Sequence, residues 1–212
     1  MVKAKMLNKM KISFIFLQSV SAHEWEVGEI MDDEISHNPE YKDCTSCVKY
    51  VKCFNDFTNI IDSLSKTDSN DYYIVQIVGH SNMEKLAFKD VNCDKFENWE
   101  DEIEWTELYN YLMDIDNNLK ERLLLVFITC YSASFFASVN PPINIIASEG
   151  DVSSHRAEEL LFKLYKEIIN GYDFEAAYNL MLKKYPLDEE YKRDKKKMAV
   201  LKYFKRYATS TT

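Results

Sequence analysis

Glycine is scarce in this chain, with four in 212 residues. A glycine-rich loop that would wrap a nucleotide's phosphates in backbone amides is therefore missing, which weighs against nucleotide chemistry. Long apolar runs are missing too: no stretch approaches the ~20 residues of a membrane span. Excess positive charge is absent. The net charge of −9 argues against nucleic acid as the main ligand, since phosphate backbones need a positive field. No repeat, low-complexity tract or clear linker interrupts the chain. What remains is 46% hydrophobic residues, enough to bury a substantial core in one domain.

Five cysteines, an odd count, fit reduced thiols in a cytosol. Cys44 and Cys47 have a CxxC spacing, but no second ligand pair follows at a zinc-binding interval, so they read as ordinary thiols near a strand. The apolar segment 10–22, behind Lys3, Lys5, Lys9 and Lys11, has the outline of a short signal peptide. A strand that opens an α/β fold has the same outline, and an amphipathic helix follows here. A cytoplasmic location is the expectation.

Strand-like runs alternate with helical periodicity. Strands are expected over 12–17, 47–51, 72–78, 123–129 and 143–148, with helices over 24–36, 54–64, 105–117, 154–170 and 174–184. A short hairpin is expected around 85–92. The basic stretch after Pro186 ends in a segment, 198–207, with a helical look. This alternation implies βαβ units and a mainly parallel sheet covered by helices. The division expected is a domain over residues 1–186 and a charged, basic extension over 187–212.

In such sheets the active site lies at the carboxyl ends of the strands. His80 stands just past the strand 72–78 and Cys130 just past 123–129. A thiol and an imidazole there are the parts of a cysteine nucleophile and its base. The Cys130 N–H and one from the turn at 79–81 are candidate oxyanion donors. No Asp or Asn is placed to orient His80, so a dyad is expected rather than a triad. His23, His37 and His155 sit at helix starts or ends and read as structural or exposed.

The blocks "YYIVQIVGHS" and "LLLVFITCYSA" resemble the histidine and cysteine motifs of the CHAT proteins, in the caspase- and separase-related cysteine peptidases. "FLQSVSAHEWEVGE" and "PPINIIASEGDVSSHRAEELLFKLYKEIINGYDFEAAYNLM" are similar to flanking blocks of compact bacterial members, so the resemblance spans about residues 11–182. It implies a caspase-like three-layer α/β/α sandwich. His80 becomes the general base, Cys130 the nucleophile, and the N–H groups of Ser81 and Cys130 the oxyanion donors. The family usually carries Gly directly after the histidine; here it is Ser81, which still offers its N–H from a less free turn.

The resemblance also implies a substrate pocket built from loops at the strand ends. The acidic candidates for it are Glu24, Glu26, Glu149 and Asp151, which would suit a basic residue before the scissile bond. Trp99 and Trp105 border an acidic stretch, where helix packing is the expected role. The function implied is a cytoplasmic thiol protease (a hydrolase) that cuts a protein or peptide substrate. A partner protein would activate or inhibit it, in a bacterial antiviral-defence or cell-death system. No metal or other cofactor and no membrane span are expected. The alternatives are a caspase-like binding module without catalysis and a small-molecule α/β enzyme.

Overall fold

The computed structural model describes residues 11–19, 26–67, 71–88, 101–152, 154–185 and 201–207. Its centre is a six-stranded sheet in the order β2-β1-β3-β7-β8-β9. The strands are β1 (Ile12–Gln18), β2 (Cys44–Tyr50), β3 (Tyr72–Val78), β7 (Leu123–Ile128), β8 (Asn144–Ser148) and β9 (Leu201–Phe204). The first five run parallel, and β9 pairs antiparallel with β8. A second sheet, antiparallel, contains β4 (His80–Ser81), β5 (Lys85–Phe88) and β6 (Asp101–Glu104).

Helices cover both faces of the large sheet. Val27, Met31 and Ile35 of α1 (Val27–His37) pack on one face, with α6 (Ser154–Ile169) and α7 (Phe174–Lys184). The other face carries α2 (Phe54–Ser65), α3 (Trp105–Asp114), α4 (Asn117–Arg122) and α5 (Ser132–Phe136). This is the α/β/α sandwich the sequence implies, and the periodicities explain it. Phe57, Ile61 and Leu64 recur at helical spacing and bury one stripe of α2. In β7 every residue of Leu-Leu-Leu-Val-Phe-Ile is buried, as a strand covered on both sides requires. Gly171 turns the chain between α6 and α7 at φ 95°, a conformation open to glycine.

Among the polar side chains buried in the central strands, that of Gln76 lies deep in the core. Gln76 of β3 accepts a hydrogen bond from the Tyr165 hydroxyl at 2.8 Å, and neither side chain reaches solvent. That pair ties α6 to the middle of the sheet. Burial pushes the Tyr165 phenol well above its usual range, so it stays a donor.

Several boundaries differ from the sequence reading. The strand expected over 47–51 begins at Cys44, so the CxxC pair lies inside β2. The helix expected over 105–117 ends at Asp114; the Asp116 carboxylate then caps α4 by accepting from the N–H groups of Asn118 and Leu119. The hairpin expected around 85–92 is β5 of the small sheet, and residues 89–100 lie outside the described residues.

The largest correction is at 198–207. The helical look there is overruled: Leu201–Phe204 is β9, at the edge of the central sheet. The strand it pairs with and its side-chain partners are distant in sequence. The Tyr178 hydroxyl donates to the Leu201 carbonyl at 2.7 Å and the Tyr203 hydroxyl to Asn144 Oδ1 at 2.7 Å. Lys205 pairs with Glu175 at 2.6 Å.

Gly28 tests the packing of α1. A Cβ there would meet Gln18 Nε2 at 2.7 Å and the Phe16 Cβ at 3.2 Å, both on fully buried residues of β1. Gly28→Ala is expected to destabilise the fold by about 1–3 kcal/mol, despite alanine's better helix propensity. Urea unfolding followed by far-UV circular dichroism reads this directly.

Candidate active site

The parallel pairing of β3 and β7 ends level, with Val78 opposite Ile128. His80 and Cys130 each follow two residues later, from strands spaced ~4.8 Å apart. Gly79 continues the ladder by donating its N–H to the Ile128 carbonyl at 3.4 Å. One contact then joins the two turns: the Ser81 hydroxyl donates to the backbone carbonyl of Cys130. His80 is half-buried, its Nε2 fully so, and it stands opposite Ala87 in the β4–β5 pair. Ser81 stands opposite Leu86.

A tryptophan holds the histidine hairpin from behind. The Trp105 indole donates to the Asn82 carbonyl at 2.9 Å, and its backbone N–H donates to Glu84 O at 3.1 Å. The ring is buried among Phe127, Phe135 and Phe136. Trp105 therefore packs, as its helical position suggests, and also fixes the turn after Ser81. Trp99 lies outside the described residues.

On the cysteine side the chain bends sharply. Tyr131 adopts φ 59° and ψ 11°, the left-handed region, and is alone there among the described non-glycine residues. Such a conformation costs an ordinary side chain roughly 1–2 kcal/mol and is tolerated where surrounding bonds impose it. Those bonds are visible. The Tyr131 N–H donates to Gly150 O at 3.1 Å. Buried Ser132 donates its hydroxyl to Thr129 O at 3.1 Å and accepts from the Ser148 N–H at 3.0 Å. Ser132 thus staples the end of β7 to the end of β8 directly behind Cys130. Neither Ser132 nor the strain at Tyr131 left a mark in the spacing of the sequence.

The Cys130 thiol is half-buried, and burial raises its pKa above the ordinary value. The Asp151 carboxylate raises it further, while the backbone N–H groups of Val152 and of Cys130 itself reach the sulfur and oppose the rise. At neutral pH the resting sulfur is therefore mainly the protonated thiol.

The acidic candidates separate. Asp151 is exposed beside Cys130, and the Tyr131 hydroxyl bonds to it. Glu149 is turned to β9, where Lys202 pairs with it at 2.5 Å. Glu26 is exposed at the N-cap of α1 and accepts from the Ile30 N–H through its carbonyl. Glu24 lies outside the described residues. Of the three described, Asp151 is the one whose charge is felt at the sulfur.

Cys44, Cys47 and His37 lie away from this edge. Cys44 and Cys47 pack on opposite faces of the sheet, which three-residue spacing on a strand dictates, so they do not converge on one ion. Burial and Asp43 push the Cys44 thiol up to about 11. His37 closes α1 with Nδ1 3.1 Å from Asp33 Oδ1. His23 and the side chain of His155 lie outside the described residues.

No protein-family model matches this chain, and no curated protein matches it. Among solved structures it is similar to the crystal structure of the Drosophila initiator caspase Dronc. The TM-score is 0.56 at 9% sequence identity, covering 92% of this chain and 79% of that one. At that identity the likeness concerns the fold, which is caspase-like. Nothing in it distinguishes the CHAT group from other branches.

Two outcomes follow from this geometry. Asp151→Asn removes a negative charge beside the sulfur, so the thiol pKa falls. Iodoacetamide should then alkylate Cys130 about two- to fivefold faster at pH 7, with the rate–pH curve displaced to lower pH. Ser132→Ala leaves the Ser148 N–H without its acceptor inside the core. It should cost about 1–3 kcal/mol in thermal or chemical unfolding.

Proposed function

We propose that this chain is a cysteine endopeptidase with a His80–Cys130 dyad, of the CHAT type that its sequence resembles. The observation that carries the reading is the Ser81–Cys130 hydrogen bond, which joins the two turns at the carboxyl edge of adjacent parallel strands. His80 takes the thiol proton as Cys130 Sγ attacks the substrate carbonyl. The N–H groups of Ser81 and Cys130 receive the oxyanion. Collapse breaks the C–N bond, His80 protonates the leaving amine, and a thioester remains. Water then attacks the thioester, releasing the acid and restoring the thiol. Asp151, beside the sulfur, would select a basic side chain before the scissile bond.

The raised thiol pKa gives a specific form to the regulation. A resting site that keeps its sulfur protonated waits for something that lowers that pKa: a cationic substrate side chain against Asp151, or a partner protein reshaping the 149–152 loop. This suits a cytoplasmic protease held quiet until an antiviral-defence or cell-death signal arrives. The same raised pKa favours one competing reading, a caspase-like module that recruits a partner without catalysis.

A peptidyl acyloxymethyl ketone with arginine next to the warhead separates the two. Under the peptidase reading the parent chain and Cys44→Ala are labelled, and Cys130→Ala is not. His80→Ala should slow labelling by about 100-fold or more. Equal labelling of Cys130→Ala and Cys44→Ala would sink the nucleophile assignment. An unlabelled but folded parent, with every candidate partner present, would leave the binding module.

A further inference from the structure

The carboxyl edge of the sheet is not the only place where charge and space meet. At the opposite edge, below the amino ends of β7 and β8, a cleft of about 210 Å³ opens between α3, α4 and the segment that follows β9. Lys120 and Arg206 line it, with Asn117, Asn140, Tyr109 and Tyr207. Lys120 is 8% exposed, unusual for a lysine, which is rarely buried unless paired.

The pairing is missing among the described residues. Lys120 donates one proton to the Met113 carbonyl at 2.6 Å and forms no ion pair. Asp116 is occupied with capping α4, and its charge and that of Asp114 reach Lys120 only at longer range. Arg206 gives Nη1 to exposed Glu121 at 3.0 Å, while its Nε is buried with no hydrogen-bond partner. The two cations also feel each other: burial first, and then the Arg206 charge, lower the Lys120 pKa. Arg206 has one exposed ionic partner and Lys120 no direct one among the described residues, and both keep N–H donors in a desolvated cleft that an anion would complete.

We propose that this cleft binds a small phosphate-bearing molecule, with Lys120 and the Arg206 guanidinium on the phosphate. A phosphate has enough acceptor oxygens to take a charge-assisted bond from each cation at once. The Asn117 and Asn140 amides add neutral donors. Tyr109, whose hydroxyl donates to Asn140 O at 3.1 Å, and exposed Tyr207 offer ring faces to a flat or apolar body. Side chains hold the phosphate here, so the shortage of glycine loops is no obstacle. The ligand would bridge α4, which leads into β7, to the segment that continues β9. It would therefore clamp the edge strand from the far side of the sheet, independently of whether Cys130 is catalytic.

Titration of the intact chain at constant ionic strength with inorganic phosphate, phenyl phosphate and benzoate tests this. Calorimetry would read affinity and thermal melting would read stabilisation. Both phosphates should bind saturably and raise the Tm, with phenyl phosphate the tighter and benzoate the weakest. Lys120→Met, which keeps the buried stem, and Arg206→Gln, at a half-buried position, should each weaken phosphate by roughly tenfold or more. Lys166→Gln, which breaks an exposed ion pair with Glu40 on another face, should change nothing. Three results would each overturn the proposal: no saturable phosphate binding by the folded parent, undiminished affinity in both cleft variants, or benzoate binding as tightly as phenyl phosphate. Labelling of Cys130 is a separate readout and can fail or succeed without touching this outcome.

Discussion

The level ending of β3 and β7 is the constraint on which the candidate site depends. Parallel strands in register carry their side chains forward in step, so Val78 opposite Ile128 delivers the two following turns to one edge. A slip of one residue would turn every buried side chain of β7 to the other face. Both faces of β7 are apolar, so polarity does not hold its register; the fit of Leu124, Val126 and Ile128 into one core and of Leu123, Leu125 and Phe127 into the other does. The geometry of the candidate site and the packing of the core are thus one problem in this chain.

The strands of the core were legible because their composition leaves no alternative. Leu123–Ile128 is too short and too apolar to be anything but a strand covered on both sides, and β3 has the same character. Their carboxyl ends point to His80 and Cys130 in the sequence itself. β9 was not legible, because its sequence is basic and aromatic with no strict alternation. Its state is decided by distant partners: the β8 edge, Tyr178, Glu149 and Glu175. The acidic residues near the site were visible as charges, but only structure shows that Lys202 occupies Glu149 while Asp151 remains beside the sulfur. Ser132 carries no sequence signal at all, since a serine after a turn is ordinary until its two buried bonds are seen.

The two edges of the sheet show opposite electrostatic problems. At the carboxyl edge a thiol is surrounded by burial and a carboxylate, so the negative form is disfavoured. At the amino edge a lysine is surrounded by burial and a guanidinium, so the positive form is disfavoured. In each case the surroundings work against the group's charged form. The caspase-like frame supplies the rigid strands between them, and the β8–β9 pair reaches from one edge to the other.

That pair also has a consequence for how the molecule comes into being. Ribosomes release chains from the amino end, and β8 leaves the tunnel more than fifty residues before β9. During that interval the apolar strand Asn144–Ser148 presents an open hydrogen-bonding edge to whatever is nearby, including other nascent copies. The nascent chain is therefore most prone to mispairing until β9 emerges, and β9 with Lys202 then closes the seam.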